Sequence, residues 1–326
     1  MLSEESNEVE ETKATILKVA IDKINKSFGA GSLWSATTDI PDIETVSTGA
    51  ITLDKALGVG GLPKGRITEI FGPEQVGKST LALSVIANVQ REAGNAALID
   101  VEHAIDLSYA KSLGVDVTKL IISQPDTAEQ ALEIAETLVR AGIDCIVLDS
   151  VAMLVTEAEI QGEMTDMQIG AQARLMGKAL RKLMAPINKG NCVFILINQL
   201  REKIGGYGNP EITPGGRSIK YMSSVRIDLR RKEQIKDGDQ VYGIRVLAKV
   251  VKNKVAPPSK QAEFDIHYGK GIHYIGSLID AAIDAGKIVR NGAWYKVGQY
   301  SLSGRNGVIE KLTSDDTLRR ELENSL

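Results

Sequence analysis

The sequence predicts an α/β protein with a mostly parallel β-sheet flanked by helices. From Arg66 onward, short apolar runs of strand length alternate with amphipathic segments of helix length, a rhythm typical of parallel sheets. A glycine-rich phosphate-binding motif at residues 72–79 comes directly after the first of these runs. The length of 326 residues also fits two domains, or one large domain with a smaller one beside it.

The N-terminal segment predicts a helix that needs a partner surface. Residues 1–12 carry five acidic and no basic side chains. Residues 13–28 place apolar side chains at helical spacing, with lysines on the opposite face, before Gly29 and Gly31 end the helix. The apolar face must pack either on its own chain or on a neighbouring copy, and the sequence leaves both open.

The remaining elements follow from local pattern. Turn-forming residues dominate 30–66 and indicate a connector. The predicted strands are 66–72, 96–102, 121–124, 145–150, 192–199, 225–231, 242–254 and 262–269. The predicted helices between the first five strands are 81–94, 127–142 and 170–190. Beyond residue 271 an α+β pattern predicts a small C-terminal subdomain, so the predicted domains are 1–32, 33–270 and 271–326.

Composition predicts a soluble cytoplasmic protein. Cys145 and Cys192 lie in apolar runs, which indicates buried thiols in a reducing compartment. The apolar runs are far too short to span a membrane. The 39 basic and 42 acidic residues give a net charge of −3, which by itself argues against a nucleic-acid partner. Residues 199–260, however, hold 14 basic and 6 acidic residues, so a nucleic-acid partner stays open.

The strongest local signal is the phosphate-binding motif, which fits the pattern G-x-x-x-x-G-K-[ST]. Its residues are Gly72, Pro73, Glu74, Gln75, Val76, Gly77, Lys78 and Ser79. Backbone amides of such a loop surround phosphate oxygens, the lysine reaches the β- and γ-phosphates, and the serine hydroxyl binds Mg²⁺. The helix that begins near Lys78 adds its positive N-terminal end. The motif therefore predicts a nucleotide site with a magnesium ion.

Two carboxylates are candidates for the rest of this site. Asp149 ends the apolar run 145–148 and is the predicted second acid on the Mg²⁺ side, although a strand-end aspartate alone is often only a helix cap. Glu102 follows the neighbouring predicted strand, so its carboxylate should open on the same sheet edge and orient water. A solvated acid at a strand end is the alternative for Glu102. The adjacent His103 is more often structural than catalytic.

Taken in chain order, many segments resemble the RecA family of bacterial recombinases. They include STGAITLDKALGVGGLPKGRITEIFGPEQVGKST, LIDVEHAID, SQPDTAEQALEI, VLDSVAML, INQLREKIG, GNPEITPGG, KVVKNKVA, KQAEF and GAWY, spread over roughly residues 12–310. The resemblance implies a RecA-type P-loop NTPase core with an N-terminal polymerisation helix. It further implies an ATP-dependent filament on single-stranded DNA, which pairs that strand with homologous double-stranded DNA and exchanges strands in recombination and DNA repair.

The resemblance also implies roles for individual catalytic residues. Glu102 matches the residue that activates water, and Lys78 matches the phosphate-binding lysine. Gln199 matches the sensor of the γ-phosphate. Lys252 and Lys254 match lysines that reach the ATP held by the adjacent subunit, so such a site would be complete only between protomers.

Further residues match positions that hold the nucleotide. Ser79 and Asp149 match the magnesium positions, and Thr80, with Lys78 and Ser79, matches the positions that hold phosphate and Mg²⁺. Tyr109 matches an aromatic residue that stacks on adenine. Asp106 and Tyr268 complete the residues assigned to the nucleotide.

Two loops are predicted to bind DNA. Residues 200–216 hold five glycines and two prolines, which excludes a regular element, and they follow the sensor Gln199 directly. This placement suits a loop that orders on binding, with a plain surface connector as the alternative. Residues 157–170 form the companion loop. The candidate DNA contacts are Met164, Ile169, Arg174, Arg201, Tyr207, Gly208, Asn209, Gly215, Gly216, Arg217 and Arg226.

These candidates favour contact with the DNA backbone over base stacking, because aromatic residues make up only 4% of the chain. Several positions depart from the family pattern, among them Gln75-Val76 and Ser79 in the phosphate loop, and Glu202 and Arg217 in the DNA loop. Such drift suits a diverged or phage-encoded recombinase. A DNA-binding filament or ring ATPase without efficient strand exchange is the alternative function. A repressor of the SOS type is a candidate partner by resemblance alone.

Overall fold

The computed structural model describes residues 2–29, 33, 43–163, 170–202 and 211–326. The chain forms two compact units, Met1–Asp42 and Ile43–Leu326. No helix within these described ranges combines the length and the apolar character needed to cross a membrane.

The first unit contains one long helix, α1, which runs from Leu2 to Phe28. It begins well before the predicted start at residue 13, because the acidic segment continues the same helix. Glutamate is a good helix former, and acids near a helix N-terminus interact favourably with the helix dipole. Ile16, Leu17 and Val19 are 62–64% exposed, and Phe28 is 79% exposed.

The second unit holds the other elements of the described residues, among them two short strands and a helix within 43–66, so the expectation of a plain connector over 30–66 is wrong for that part. Its strands are β1 (Thr45–Val46), β2 (Leu62–Pro63), β3 (Arg66–Gly72), β4 (Ala96–Asp100), β5 (Ile121–Ser123), β6 (Cys145–Asp149), β7 (Val193–Gln199), β8 (Arg201–Glu202), β9 (Glu211–Ile212), β10 (Val225–Asp237), β11 (Gln240–Asn253), β12 (Gln261–His267), β13 (Gly271–Ile272), β14 (Ile288–Asn291), β15 (Trp294–Val297) and β16 (Tyr300–Ser303). Its helices are α2 (Ile51–Leu57), α3 (Lys78–Arg91), α4 (Leu107–Ser112), α5 (Ala128–Arg140), α6 (Glu157–Gln161), α7 (Ala171–Lys189), α8 (Arg217–Met222), α9 (Tyr274–Asp284), α10 (Gly304–Ser314) and α11 (Asp316–Asn324), with a 3₁₀ turn at Val151–Met153.

Among the described residues, the largest sheet has nine strands in the order β13-β12-β11-β10-β3-β7-β6-β4-β5. Neighbouring strands from β10 to β5 pair in parallel, and β10 to β13 add an antiparallel edge. This arrangement confirms the predicted α/β fold with a mostly parallel sheet. The antiparallel strand β10 extends well beyond the predicted run 225–231, to Asp237, whereas β11 agrees with the predicted run 242–254 to within two residues.

The central strands are apolar on both sides because helices cover both faces of the sheet. In β6, Cys145 and Val147 join the core beneath α3, whereas Ile146 and Leu148 join the core beneath α5 and α7. Both cysteines of the chain are free and buried, as predicted. A third core, built from α9, the three-stranded sheet β14-β15-β16, α10 and α11, occupies the C-terminal segment.

Candidate nucleotide site and DNA-binding loops

The phosphate loop lies between β3 and α3, as the motif predicts. Gly77 adopts a left-handed conformation with φ 92°, and a Cβ there would stand 2.3 Å from Cδ1 of Ile266. At Gly72 a Cβ would stand 2.3 Å from the carbonyl oxygen of Leu229. Glycine at both positions therefore lets the loop close tightly against β10 and β12. Helix α3 begins at Lys78, so its free backbone amides face the loop.

Lys78 lies inside this loop. Its Nζ donates hydrogen bonds to the carbonyl oxygens of Gly72, at 3.2 Å, and Pro73, at 2.6 Å. Burial lowers the pKa of Lys78, and the charges of Asp149, Glu102 and Glu74 oppose that shift. The ammonium group is thus held in the concave side of the loop, where phosphate oxygens would offer it stronger acceptors than neutral carbonyls.

Ser79 and Asp149 come together on the same sheet edge. The Ser79 hydroxyl donates to Oδ2 of Asp149 at 2.7 Å. A hydroxyl and a carboxylate next to a phosphate loop fit a hard cation such as Mg²⁺, which takes few protein ligands and binds through phosphates and water. Within the described ranges, no cluster of three or more His, Cys, Asp or Glu residues suggests a different metal centre.

The ionisation of Asp149 has a predictable effect on stability. Burial raises its pKa from 3.8 to about 6, with further upward contributions from Glu102 and Asp100, while the Ser79 hydrogen bond lowers it. Because the pKa is higher in the folded state, stability falls as pH rises from about 4 through 6. Asp149→Asn removes this ionisation. We therefore expect the nucleotide-free variant to melt about 2–4 °C above wild type at pH 7.

Differential scanning fluorimetry in EDTA measures this difference. The advantage of Asp149→Asn should shrink as the pH falls from about 6 and vanish only well below 3.8, where the wild-type carboxyl is protonated in both states. If the variant melts at or below the wild-type temperature at pH 7, the ionised carboxylate of Asp149 does not destabilise the folded protein, and this prediction is wrong.

Glu102 and Gln199 meet beside this pair. Oε1 of Glu102 accepts a hydrogen bond from Oγ of Ser150 at 2.6 Å and another from Nε2 of Gln199 at 3.2 Å. Gln199 is the last residue of β7, and Glu102 follows β4. The structure therefore places the two residues together at the carboxyl ends of parallel strands, where ligands of open α/β sheets bind.

Asp106 and Tyr109, the residues assigned to the adenine side, lie at the start of α4. The hydroxyl groups of Thr80 and Tyr109 share a hydrogen bond of 2.9 Å, so Tyr109 is held against the start of α3. Asp106 caps α4 by accepting hydrogen bonds from the backbone amides of Ser108 and Tyr109. The hydrogen bond from the Ser108 hydroxyl, at 2.7 Å, and those from the two amides hold the pKa of Asp106 below its usual value. Tyr268 follows β12 with a side chain that is 53% exposed.

Lys252 and Lys254 are directed toward α8. Nζ of Lys252 donates to the carbonyl oxygens of Lys220 and of Tyr221, the latter at 3.0 Å, and Nζ of Lys254 lies 3.3 Å from the same Tyr221 oxygen. Burial lowers the pKa of Lys252, and the charges of Lys254 and Arg226 lower it further. Cations at a helix C-terminus are favourable, so both lysines stabilise the end of the helix that follows the DNA loop.

The two predicted DNA loops are described only in part. Met164, Ile169, Tyr207, Gly208 and Asn209 lie outside the described residues. Strands β8 and β9 lie within 200–216 and pair as a short antiparallel ribbon at the two ends of segment 203–210, so the expectation that this segment holds no regular element is wrong at both ends. The companion segment 157–170 likewise begins with a helix, α6, whose first turn is capped by Thr156 and Glu159. Arg201 is exposed on β8, Arg174 is exposed in the first turns of α7, and Arg217 is exposed at the start of α8.

The ribbon is fastened to the main sheet by a pair that sequence reasoning missed. Arg230 on β10 donates two hydrogen bonds to Glu211 on β9, at 2.8 and 2.6 Å. This two-point contact holds the pKa of Glu211 below its usual value. No local pattern marks the pair, because the two residues meet only when β10 takes its place beside the loop.

Three of the predicted DNA contacts have structural roles in this conformation. Gly215 and Gly216 both have φ near +80°, and a Cβ would stand 2.3 Å from Cδ1 of Ile219 at Gly215 and 2.7 Å from Cβ of Ala173 at Gly216. Arg226 forms an ion pair with the fully buried Glu69 and stacks 4.5 Å over the ring of Phe71. The Arg226 guanidinium is therefore committed to the core, and its contact with DNA stays a prediction without structural support.

Comparison with known proteins gives consistent matches over nearly the full chain. A family model described as the RecA N-terminal domain matches residues 15–273. Protein RecA of Clostridioides difficile (strain 630) is 56% identical over 321 residues, covering 97% of this chain and 92% of that protein. Protein RecA of Clostridium novyi (strain NT) is 54% identical over 318 residues, covering 96% and 91%. Protein RecA of Chlorobaculum parvum (strain DSM 263 / NCIMB 8327) is 54% identical over 311 residues, covering 94% and 90%.

Proposed function

Because this chain belongs to the RecA family, and is therefore a DNA-dependent ATPase of recombination and DNA repair, we propose that it couples ATP binding with Mg²⁺ to filament assembly on single-stranded DNA. Nucleotide binding, DNA binding and self-association into filaments belong to the family as a whole, as does a part in the SOS response. The identity of the nucleotide, the metal, the DNA forms and the residues that serve them is our proposal.

One observation carries the proposal. Within a single sheet edge, the Ser79–Asp149 pair stands beside Glu102, and Glu102 is bonded to Gln199, which leads into the ribbon of the DNA loop. The phosphate site, the carboxylate proposed to orient water (Glu102) and the residue that leads into the DNA loop (Gln199) are thus close together. This is the arrangement that a nucleotide-controlled DNA switch requires.

The proposed chemistry divides the work among these side chains. Lys78 and the amides at the start of α3 hold the β- and γ-phosphates of ATP, and Tyr109 and Asp106 lie on the adenine side. Ser79 and Asp149 would hold Mg²⁺, which neutralises charge on the phosphate oxygens when bound. The carboxylate of Glu102 orients the attacking water and accepts its proton at Oε1 or Oε2.

Gln199 links this chemistry to DNA. Its amide donates to Glu102 in the present conformation, and a γ-phosphate offers the same amide a charged acceptor. A change of partner at Gln199 moves the beginning of β8, because only Leu200 separates them. We propose that this movement sets the conformation of the DNA-binding loop.

The N-terminal helix α1 and the lysines Lys252 and Lys254 are proposed to form the contacts between neighbouring protomers of the filament. The exposed apolar face of α1 needs a covering surface, and a second copy of the chain is the proposed one. Lys252 and Lys254 are bonded to α8 of their own chain and are proposed to reach the nucleotide of the next protomer. We place nucleotide and DNA binding in a proposed core domain of residues 33–270, and the protein in the cytoplasm. A repressor of the SOS type is a further candidate partner.

Strand exchange between a circular single strand and a homologous linear duplex tests the function. With ATP and Mg²⁺ we expect joint molecules followed by nicked circular product, and without ATP we expect neither. ATP hydrolysis stimulated by single-stranded DNA but without exchanged product would instead favour the alternative, a filament or ring ATPase that lacks efficient exchange.

A further inference from the structure

A row of polar side chains crosses the main sheet where apolar residues would be expected. Lys252 on β11 pairs in register with Arg226 on β10, and Arg226 pairs in register with Glu69 on β3. Asn198 on the next strand, β7, donates from Nδ2 to Oε1 of Glu69 at 3.0 Å. Glu69 and Asn198 are fully buried. The row therefore runs from the lysine pair at α8 to the residue that precedes the sensor Gln199.

Asn198 is the end of this row that touches the DNA loop. Its Nδ2 also donates to the carbonyl oxygen of Pro214 at 3.0 Å, and its Oδ1 accepts from the backbone amide of Gln199 at 3.0 Å. Both amide hydrogens and the carbonyl oxygen are thus engaged. One buried side chain holds the start of the loop, at Gln199, and the return of the loop, at Pro214.

The C-terminal end of the DNA loop, at Pro214, is followed by a residue that packs closely on another part of the core. The next residue, Gly215, packs so closely that a Cβ would stand 2.8 Å from Cγ1 of Val151, just after the strand that ends in Asp149. The backbone at Gly215 is therefore packed directly against Val151, with no space for a side chain between them. Close-packed contacts of this kind transmit displacement instead of absorbing it.

Stability does not explain the charges in this row. Burial of a carboxylate and a guanidinium costs desolvation energy, and well-packed apolar residues often replace such pairs without loss. Buried ionic groups can instead specify one conformation among several. At Glu69 and Asn198 the specified feature is the relative position of two loop ends.

We propose that Asn198 and Glu69 are positioning residues that couple the nucleotide state of Gln199 to the DNA-binding loop through the carbonyl of Pro214. The inference rests on the proposed function, since it assumes that nucleotide controls DNA affinity. Asn198 holds the Gln199 backbone in register with Pro214, and Glu69 with Arg226 fixes the orientation of the Asn198 amide. Neither residue is among those proposed to bind the nucleotide.

The test measures a coupling factor in the full-length protein. The coupling factor is the ratio of affinities for a fluorescent single-stranded oligonucleotide with and without a non-hydrolysable ATP analogue, obtained by anisotropy. We expect Asn198→Ala to lower the coupling factor about tenfold, while its affinity for the analogue without DNA stays within about twofold. Glu69→Ala should lower the coupling factor in the same direction, and it provides the measurement if Asn198→Ala does not fold.

Asn88→Ala is the matched control. Asn88 is also a buried asparagine whose Nδ2 donates to a distant carbonyl, that of Ser47 at 2.7 Å, but it lies on α3 away from the DNA loop. It should retain the wild-type coupling factor even if it melts at a lower temperature. A wild-type coupling factor in Asn198→Ala or Glu69→Ala, or an equal loss in Asn88→Ala, overturns this inference alone. If the DNA affinity of the wild-type protein is the same with and without the ATP analogue, the proposed function is overturned as well.

Discussion

Replacing Lys78 with alanine is expected to lower ATP affinity at least about 100-fold. The ammonium group lies within the phosphate loop and is bonded to the carbonyls of Gly72 and Pro73. Each charge-assisted hydrogen bond to phosphate contributes about 1.5–3 kcal/mol, so losing the contacts to the β- and γ-phosphates removes most of the binding energy at that end of ATP. Isothermal titration calorimetry or a fluorescent ATP analogue measures the loss.

The fold should survive this substitution. Burial lowers the pKa of Lys78, which means that its charge is costly in the nucleotide-free protein. Lys78→Ala should therefore melt at or above the wild-type temperature when no nucleotide is present. Lys64→Ala is the matched control, because Lys64 lies just before the same strand and forms ion pairs with Glu44 and Glu92, each at 3.5 Å, away from the phosphate loop. Unchanged ATP affinity in Lys78→Ala would refute the site.

Glu102→Gln is expected to lower the DNA-stimulated kcat for ATP hydrolysis by about 10²–10⁴-fold, the usual contribution of a general base. Glutamine keeps the length of the side chain and an oxygen that can accept from Ser150, so the site should stay assembled. It cannot accept the proton of water. We therefore expect KM for ATP and the affinity for single-stranded DNA to change by less than about threefold.

Steady-state ATPase assays with saturating single-stranded DNA measure this split between kcat and KM. Glu310→Gln removes one acidic charge from the exposed face of α10 and should leave both values unchanged. A kcat within a few-fold of wild type in Glu102→Gln would show that Glu102 is a solvated strand-end acid, the alternative that the sequence left open.

The parts of the site that could be predicted from the sequence depend on short segments. The phosphate loop, the strand that ends in Asp149 and the strand before Glu102 are each defined by fewer than ten consecutive residues, and their order implies a shared sheet edge. The structure confirms the parallel sheet and brings Ser79 next to Asp149 and Glu102 next to Gln199. The local sequence pattern was sufficient to predict these neighbours because the carboxyl ends of parallel strands lie at the same edge of the sheet.

The parts that could not be predicted depend on which strands are neighbours and in which register. Arg226 is separated from Glu69 by more than 150 positions in the chain, and the two pair only because β10 lies beside β3. From the sequence alone Arg226 looked like one more free cation in a basic segment. The contacts of Asn198 with Pro214 and of Arg230 with Glu211 could not be predicted for the same reason, since they too form only once the strands are in place.

The burial of both cysteines has a practical consequence for watching this molecule work. Cys145 and Cys192 are completely shielded, and burial raises the pKa of both thiols, that of Cys192 to about 12. Maleimide dyes react with exposed thiolates, so they should leave the native protein unlabelled. A single cysteine introduced on the ribbon, as in Arg201→Cys, would then carry a dye at one defined place without removal of the native thiols. Fluorescence from that dye would report the response of the loop to nucleotide and to DNA in real time.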